Sequence, residues 1–187
     1  MRRVAGIFRR TYLLYFSQPA IDRPLLRAIR KRTIRSVVEL GIGSLSRTQR
    51  ILEIARWRPE SEPIRYCGID LYDARDSERP QLALKQAFAD LQASGAKLQL
   101  VPGSPGAALK RVANSLTHTD LLLIDASHDA DSLATAWTWI PRMLAPESLV
   151  YWQQATGKDG QLQWRPLTIV EIQQLASSTG KLGRRAA

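Results

Sequence analysis

The sequence predicts an α/β fold of Rossmann-like type, an open and mostly parallel sheet with helices on both faces, on three observations. Strand-like apolar runs alternate with segments of helical periodicity along the chain. The first run, Val37-Val38-Glu39-Leu40, passes straight into Gly41-Ile42-Gly43. The stretch Asp120–Asp125 encloses Leu121-Leu122-Leu123-Ile124, a continuous apolar run of the kind found in parallel strands buried on both faces.

The elements follow in order. Gln18-Pro19 breaks the chain after an aromatic segment, and Asp22 is expected to cap a helix with Pro24 in its first turn and Leu25, Leu26 and Ile29 inside. Ile34–Leu40 forms the first strand. Ser44 and Ser46 offer cap oxygens to a helix carrying Leu45, Thr48, Leu52 and Ala55, which fades near Trp57-Arg58-Pro59. Ile64–Leu71 is the second strand, followed by a helix on Leu84, Phe88 and Leu91 that Gly95 stops. Lys97–Val101 is the third strand, and Ser104-Pro105 opens a helix. After the fourth strand, Leu133, Ala136, Trp137 and Ile140 mark a helix that Pro141 bends or ends. Leu149–Gln153 is the fifth strand. A Gly-Lys-Asp-Gly turn, a short sixth strand near Leu162–Leu167 and a helix from about Thr168 to Ser177 complete the series.

With 187 residues and no internal repeat, the chain is expected to hold one domain over residues 21–180, preceded by a basic, aromatic helical segment (1–20) and followed by a basic tail (181–187). No apolar run approaches the roughly 18 residues of a membrane span. Arg9 and Arg10 interrupt any signal-like core, and the single Cys67 permits no intramolecular disulfide, so a cytoplasmic setting is expected. The net charge of +10 sits at the ends: residues 1–35 hold ten Lys/Arg against Asp22 alone. Such an end suits RNA or an anionic membrane, and its aromatic residues suit an interfacial helix, a packed lid or a homodimer contact.

Ligands of open parallel sheets bind at the carboxyl ends of the strands, which singles out a few polar residues. Gly41 and Gly43 allow a sharp turn and close approach of a ligand. Asp70, at the tip of the second strand, either accepts hydrogen bonds from ribose hydroxyls or caps the next turn. Glu39, inside a strand, requires a partner, and either orients the glycine loop or answers a ligand's ammonium group. Ser104 touches an adenine edge or caps the helix of Pro105. His128 beside Asp125 is either a general base or an exposed loop residue next to a cap formed by Asp129 or Asp131.

Taken together, Glu39-Leu-Gly41-Ile-Gly43, Gly68-Ile-Asp70 and Leu121-Leu-Leu-Ile-Asp125-Ala-Ser-His128, with Pro141–Pro146 after them, resemble the class I S-adenosylmethionine-dependent methyltransferases, in their small O-methyltransferase-like branch. The resemblance covers about residues 20–155. It implies a sheet ordered 3-2-1-4-5, with S-adenosylmethionine held by Glu39, Gly41, Gly43 and Ser44 on the first strand's turn. Asp70 and Leu71, Gly103 and Ser104, and Asp125 complete that cofactor set. His128 and Asp125 are then the catalytic pair, acting on a small-molecule acceptor. Two departures stand out. Where metal-dependent members of that branch carry acidic or Asn ligands after the fifth strand, this chain has Gln153-Gln154, so no metal site is expected. The sequence after that strand is also short for a helix and a closing strand pair. The chemistry left open is methyl transfer to a small molecule, ligand binding without turnover, or RNA methylation guided by the basic N-terminus.

Overall fold

The computed structural model describes residues 2–57, 62–156 and 160–183; part of the expected Gly-Lys-Asp-Gly turn and residues 184–187 of the basic tail lie outside them. Two helices, α1 (Arg2–Tyr15) and α2 (Asp22–Arg30), precede β1 (Ser36–Leu40) and α3 (Leu45–Ala55). Then come β2 (Arg65–Asp70), α4 (Leu84–Gln92), β3 (Lys97–Pro102), α5 (Pro105–Val112) and β4 (Thr119–Ile124). The chain continues through α6 (Ala130–Trp137), α7 (Ile140–Met143), β5 (Leu144–Thr156), β6 (Gln161–Pro166) and α8 (Ile169–Gly183).

The sheet order is β3-β2-β1-β4-β5-β6, parallel except for β6, which returns antiparallel beside β5. The reversal between β2 and β4 on either side of β1 places the switch point above Leu40 and Gly41. All five residues of β1 are buried, because both faces of the sheet are covered. Alternate residues serve opposite layers. Val38, Leu40, Leu122 and Ile124 face α5 to α8 with Trp137, Ile140 and Met143. Val37, Leu121 and Leu123 face the other way, with Leu14, Leu25, Ile29 and Leu52 of α1 to α3.

Several local expectations change. α4 buries Ala87 and Leu91, an i, i+4 pair, and leaves Phe88 46% exposed. The buried stripe of the helix falls one position before Phe88, on an alanine. Asp22 does not cap α2; it turns inward, 2% exposed, and accepts a hydrogen bond from Trp164 Nε1 of β6 (3.0 Å). Ser44 and Ser46 bond each other (2.8 Å) instead of capping α3. Asp129 does cap α6, accepting from the Ser132 N–H (2.8 Å). α6 ends at Trp137, before Ile140, and Pro141 stands in the first turn of α7; α8 runs past Ser177 to Gly183.

Leu122 is fully buried in the central strand β4. Leu122→Ala is expected to lower unfolding free energy by about 2–5 kcal/mol, read from the urea midpoint at unchanged slope.

Candidate functional site

The carboxyl ends of β2, β1 and β4 bring three carboxylates together: Asp70, Glu39 and Asp125. The glycine turn runs between them. Gly41 has φ +79°, and an added Cβ would lie 2.9 Å from both Asp125 Cβ and His128 Nε2. At Gly43 a Cβ would overlap Asp125 Oδ2 and come within 2.7 Å of an Arg47 guanidinium nitrogen. Backbone bonds from Gly41 N–H to Ile69 O (2.8 Å) and from Asp125 N–H to Leu40 O (2.9 Å) tie the turn to both neighbouring strands.

Each carboxylate has an arginine or a hydroxyl partner. Asp70, 2% exposed, accepts from Ile42 N–H (2.7 Å) and Tyr72 N–H (3.0 Å), and from Arg75 through Nε (2.7 Å) and a terminal nitrogen (2.8 Å). Burial alone would raise its pKa; the bonds from Arg75, Tyr72 and Ile42 outweigh it and hold the group below its ordinary value. Asp125 accepts from Arg47 (2.7 Å) and from Ser127 N–H (3.0 Å), and its pKa is likewise lowered, Arg47 and the Ser127 bond outweighing burial. Glu39 is fully buried and accepts from Tyr66 OH and Thr48 Oγ1 (2.8 Å each), with Arg47 at 3.4 Å. Burial dominates there and raises its pKa despite Arg47.

Arg47 thus spans the site. Besides the two acids it donates to Gln153 Oε1 of β5 (3.1 Å), and its guanidinium lies 5.1 Å from the centre of the Trp164 ring. Its Nε has no hydrogen-bond partner. His128, 9% exposed, presses on Gly41, and its Nε2 is buried without a partner. Burial, then the nearby Arg79 charge, lower its pKa, so the ring is neutral near pH 7.

The remaining sequence-derived residues lie around this centre. Gly103 (φ +131°) donates its N–H to Asp70 O (2.9 Å), and Leu71 starts the short turn after β2. Ser104 sits at the start of α5 with its hydroxyl exposed and not capping. His118 stands apart, exposed before β4, where its carbonyl accepts from Ser36 Oγ (2.8 Å). Trp152 packs on Trp137 in the core, with ring centres 5.8 Å apart. Cys67 is buried in the core, its thiol pushed up to about 12 by desolvation. Among the described residues, no group of three or more His, Cys, Asp or Glu is placed to hold a metal ion.

Arg47, Arg75 and Arg79 were not foreseen from the sequence. The available signal was charge: three acids at buried strand ends demand nearby cations, and Arg47 and Arg75 lie eight and five residues beyond Glu39 and Asp70.

Solved structures place this arrangement among known folds. The O-methyltransferase from Bacillus cereus in complex with SAH superposes with a TM-score of 0.56 at 12% identity, over 94% of this chain and 76% of that one. CalS11, a TDP-rhamnose 3'-O-methyltransferase of calicheamicin biosynthesis, gives 0.53 at 16%, over 85% and 80%. TomG from Streptomyces achromogenes, in complex with SAM, gives 0.50 at 12%, over 92% and 76%. The fold is the one that these solved O-methyltransferases share. At these identities the likeness is one of fold. No family model and no curated protein matches the sequence.

The depressed pKa values have a sign. An acid or histidine held below its unfolded value contributes stability that is complete above that value and is lost as pH falls through the folded one. His128 acts from 6.5 downward, and Asp70 and Asp125 from 3.8 downward. Urea unfolding free energy is expected to fall as pH drops below about 6.5, where the unfolded chain takes up a proton at this histidine that the folded chain resists. His128→Gln should flatten that limb and leave the more acidic one in place.

Proposed function

We propose that the chain binds S-adenosylmethionine at the β2-β1-β4 strand ends and transfers its methyl group to a small-molecule acceptor without a catalytic metal. The observation that carries this reading is the convergence of the Gly41 turn, Asp70 and Asp125 on one switch point, with His128 Nε2 buried beside them and unpartnered. The residues fit the cofactor in part. The tight turn at Gly41 and Gly43, packed on Asp125, His128 and Arg47, would border the amino-acid end, with Glu39, Ser44, Arg47 and Asp125 as its polar neighbours. Asp70 and Leu71 suit the ribose, and Gly103 and Ser104 border the base.

One feature resists. Asp70 already accepts four hydrogen bonds, two of them from Arg75, so ribose hydroxyls must take the place of Arg75. The cofactor, when bound, supplies a methyl group already activated by its sulfonium, which leaves alignment and deprotonation to the protein. His128 is neutral near pH 7 and serves as the base that takes the acceptor's proton at Nε2. Asp125 anchors its backbone: its carbonyl accepts the His128 N–H at 3.1 Å.

The same feature favours a second reading, ligand binding without turnover. Arg47 and Arg75 neutralise the acids internally, and Gln153 gives Arg47 a further, uncharged acceptor. Calorimetric titration with S-adenosylmethionine and S-adenosylhomocysteine tests the shared premise, which falls if neither binds below millimolar concentration. Asp70→Asn is expected to weaken binding by about tenfold or more, and Arg75→Gln to strengthen it by freeing the carboxylate. An unchanged affinity in Arg75→Gln means that Arg75 does not compete with the ribose.

Turnover separates the two readings. With labelled cofactor and an acceptor pool from cell extract, His128→Asn is expected to cut transfer by roughly 10²–10⁴-fold while S-adenosylhomocysteine still binds. Cofactor binding with no transfer by the wild-type chain establishes the second reading.

A further inference from the structure

The N-terminal part of the chain carries a surface that neither reading of the strand-end site uses. Helix α1 buries Leu13 and Leu14 against the core but leaves Phe8 72%, Tyr12 54% and Tyr15 51% exposed, and Phe16 just beyond it 63% exposed. Spaced i, i+4, i+7 and i+8, these four rings share one helix face, and Tyr12 stacks on Phe16 with centres 6.4 Å apart. Beside the stripe runs a groove of about 550 Å³ lined by Arg27, Arg30, Lys31 and Arg32 together with Leu14 and Tyr15, and no acidic side chain lines it. Tyr15 joins the two features: it borders the groove and lies 6.0 Å beneath the Arg27 guanidinium.

We propose that this face docks on an anionic membrane surface, the aromatic stripe entering the headgroup boundary and the basic groove facing phosphates. Charge complementarity selects the occupant. Residues 1–35 carry a net charge of +9, which an anionic leaflet attracts. A twofold contact with a second copy would set the same basic patch against itself. Shape separates a membrane from RNA. The four rings lie along the convex side of a helix, a form suited to a plane, whereas a single strand stacks on rings set inside a basic groove, where Tyr15 alone lies. Among the described residues no helix is long and apolar enough to cross a membrane, so the contact is peripheral.

Co-sedimentation of the full chain with vesicles of phosphatidylcholine alone, and with phosphatidylglycerol added, tests the proposal. Binding is expected only with the anionic lipid and should weaken as salt rises. The double variant Phe8→Ser/Phe16→Ser should lower partitioning by about tenfold or more, and Arg27→Glu/Lys31→Glu by a similar factor. All four side chains are exposed, and circular dichroism checks that the variants keep the fold. The proposal is overturned by failure to sediment, by equal binding to neutral vesicles, or by variants that bind as well as the parent. It is overturned equally if the substitutions abolish self-association or RNA binding in a chain that ignores vesicles.

Discussion

Three carboxylates buried at the ends of adjacent strands are the constraint around which the upper half of the molecule is arranged. An uncompensated charge in that position is costly, and removing one member of a buried pair leaves a deficit of about 3–5 kcal/mol. Arg75 answers Asp70, and Arg47 answers Asp125 while leaning on Glu39. These pairings fix more than charge. Arg75 also donates to Ile42 O and Pro80 O, tying the loop after β2 to the glycine turn. Arg47 reaches Gln153 and sits under Trp164, so β5 and the edge strand β6 become part of the site's wall.

Much of the fold was legible because its signals are periodic. Continuous apolar runs marked the buried strands, and Leu25, Leu26 and Ile29 marked the inner side of α2, where they are indeed buried. The strand order implied by the family resemblance, 3-2-1-4-5, matches the observed sheet, and the short sixth strand read from the sequence pattern lies beside β5. What failed were choices between near-equivalent local partners. Asp22 was read as a cap from its position before Pro24, yet the indole N–H of Trp164, 142 residues away, claims it. No local pattern encodes that competition. Phe88 and Ala87 differ by one position on a helix wheel, and only the shape of the sheet decided which faced inward.

The site was legible in its acids and glycines and illegible in its bases. Glu39, Asp70 and Asp125 announce themselves by standing at strand ends, where a charge is conspicuous. Arg47 and Arg75 lie in a helix and a loop, where arginine is ordinary and usually solvated. Their burial follows from the tertiary meeting of β1, β2 and β4. His128 shows the intermediate case: its proximity to Asp125 was visible in sequence, while its contact with Gly41 depends on the backbone fold of the loop after β4.

The packing around the glycine turn also changes what that motif can testify to. Asp125 and His128 already press against Gly41, and Asp125 and Arg47 against Gly43, in the chain by itself. A side chain at Gly41 meets the Asp125 Cβ and the His128 ring, and one at Gly43 displaces the ends of Asp125 and Arg47, before any ligand arrives. Persistence of these glycines through divergence would therefore report internal fit and stand silent on cofactor use. The evolutionary record that discriminates lies elsewhere, at Arg75 and Arg47, which have no reason to vary together with Asp70 and Asp125 unless the internal ion pairs are themselves what selection maintains.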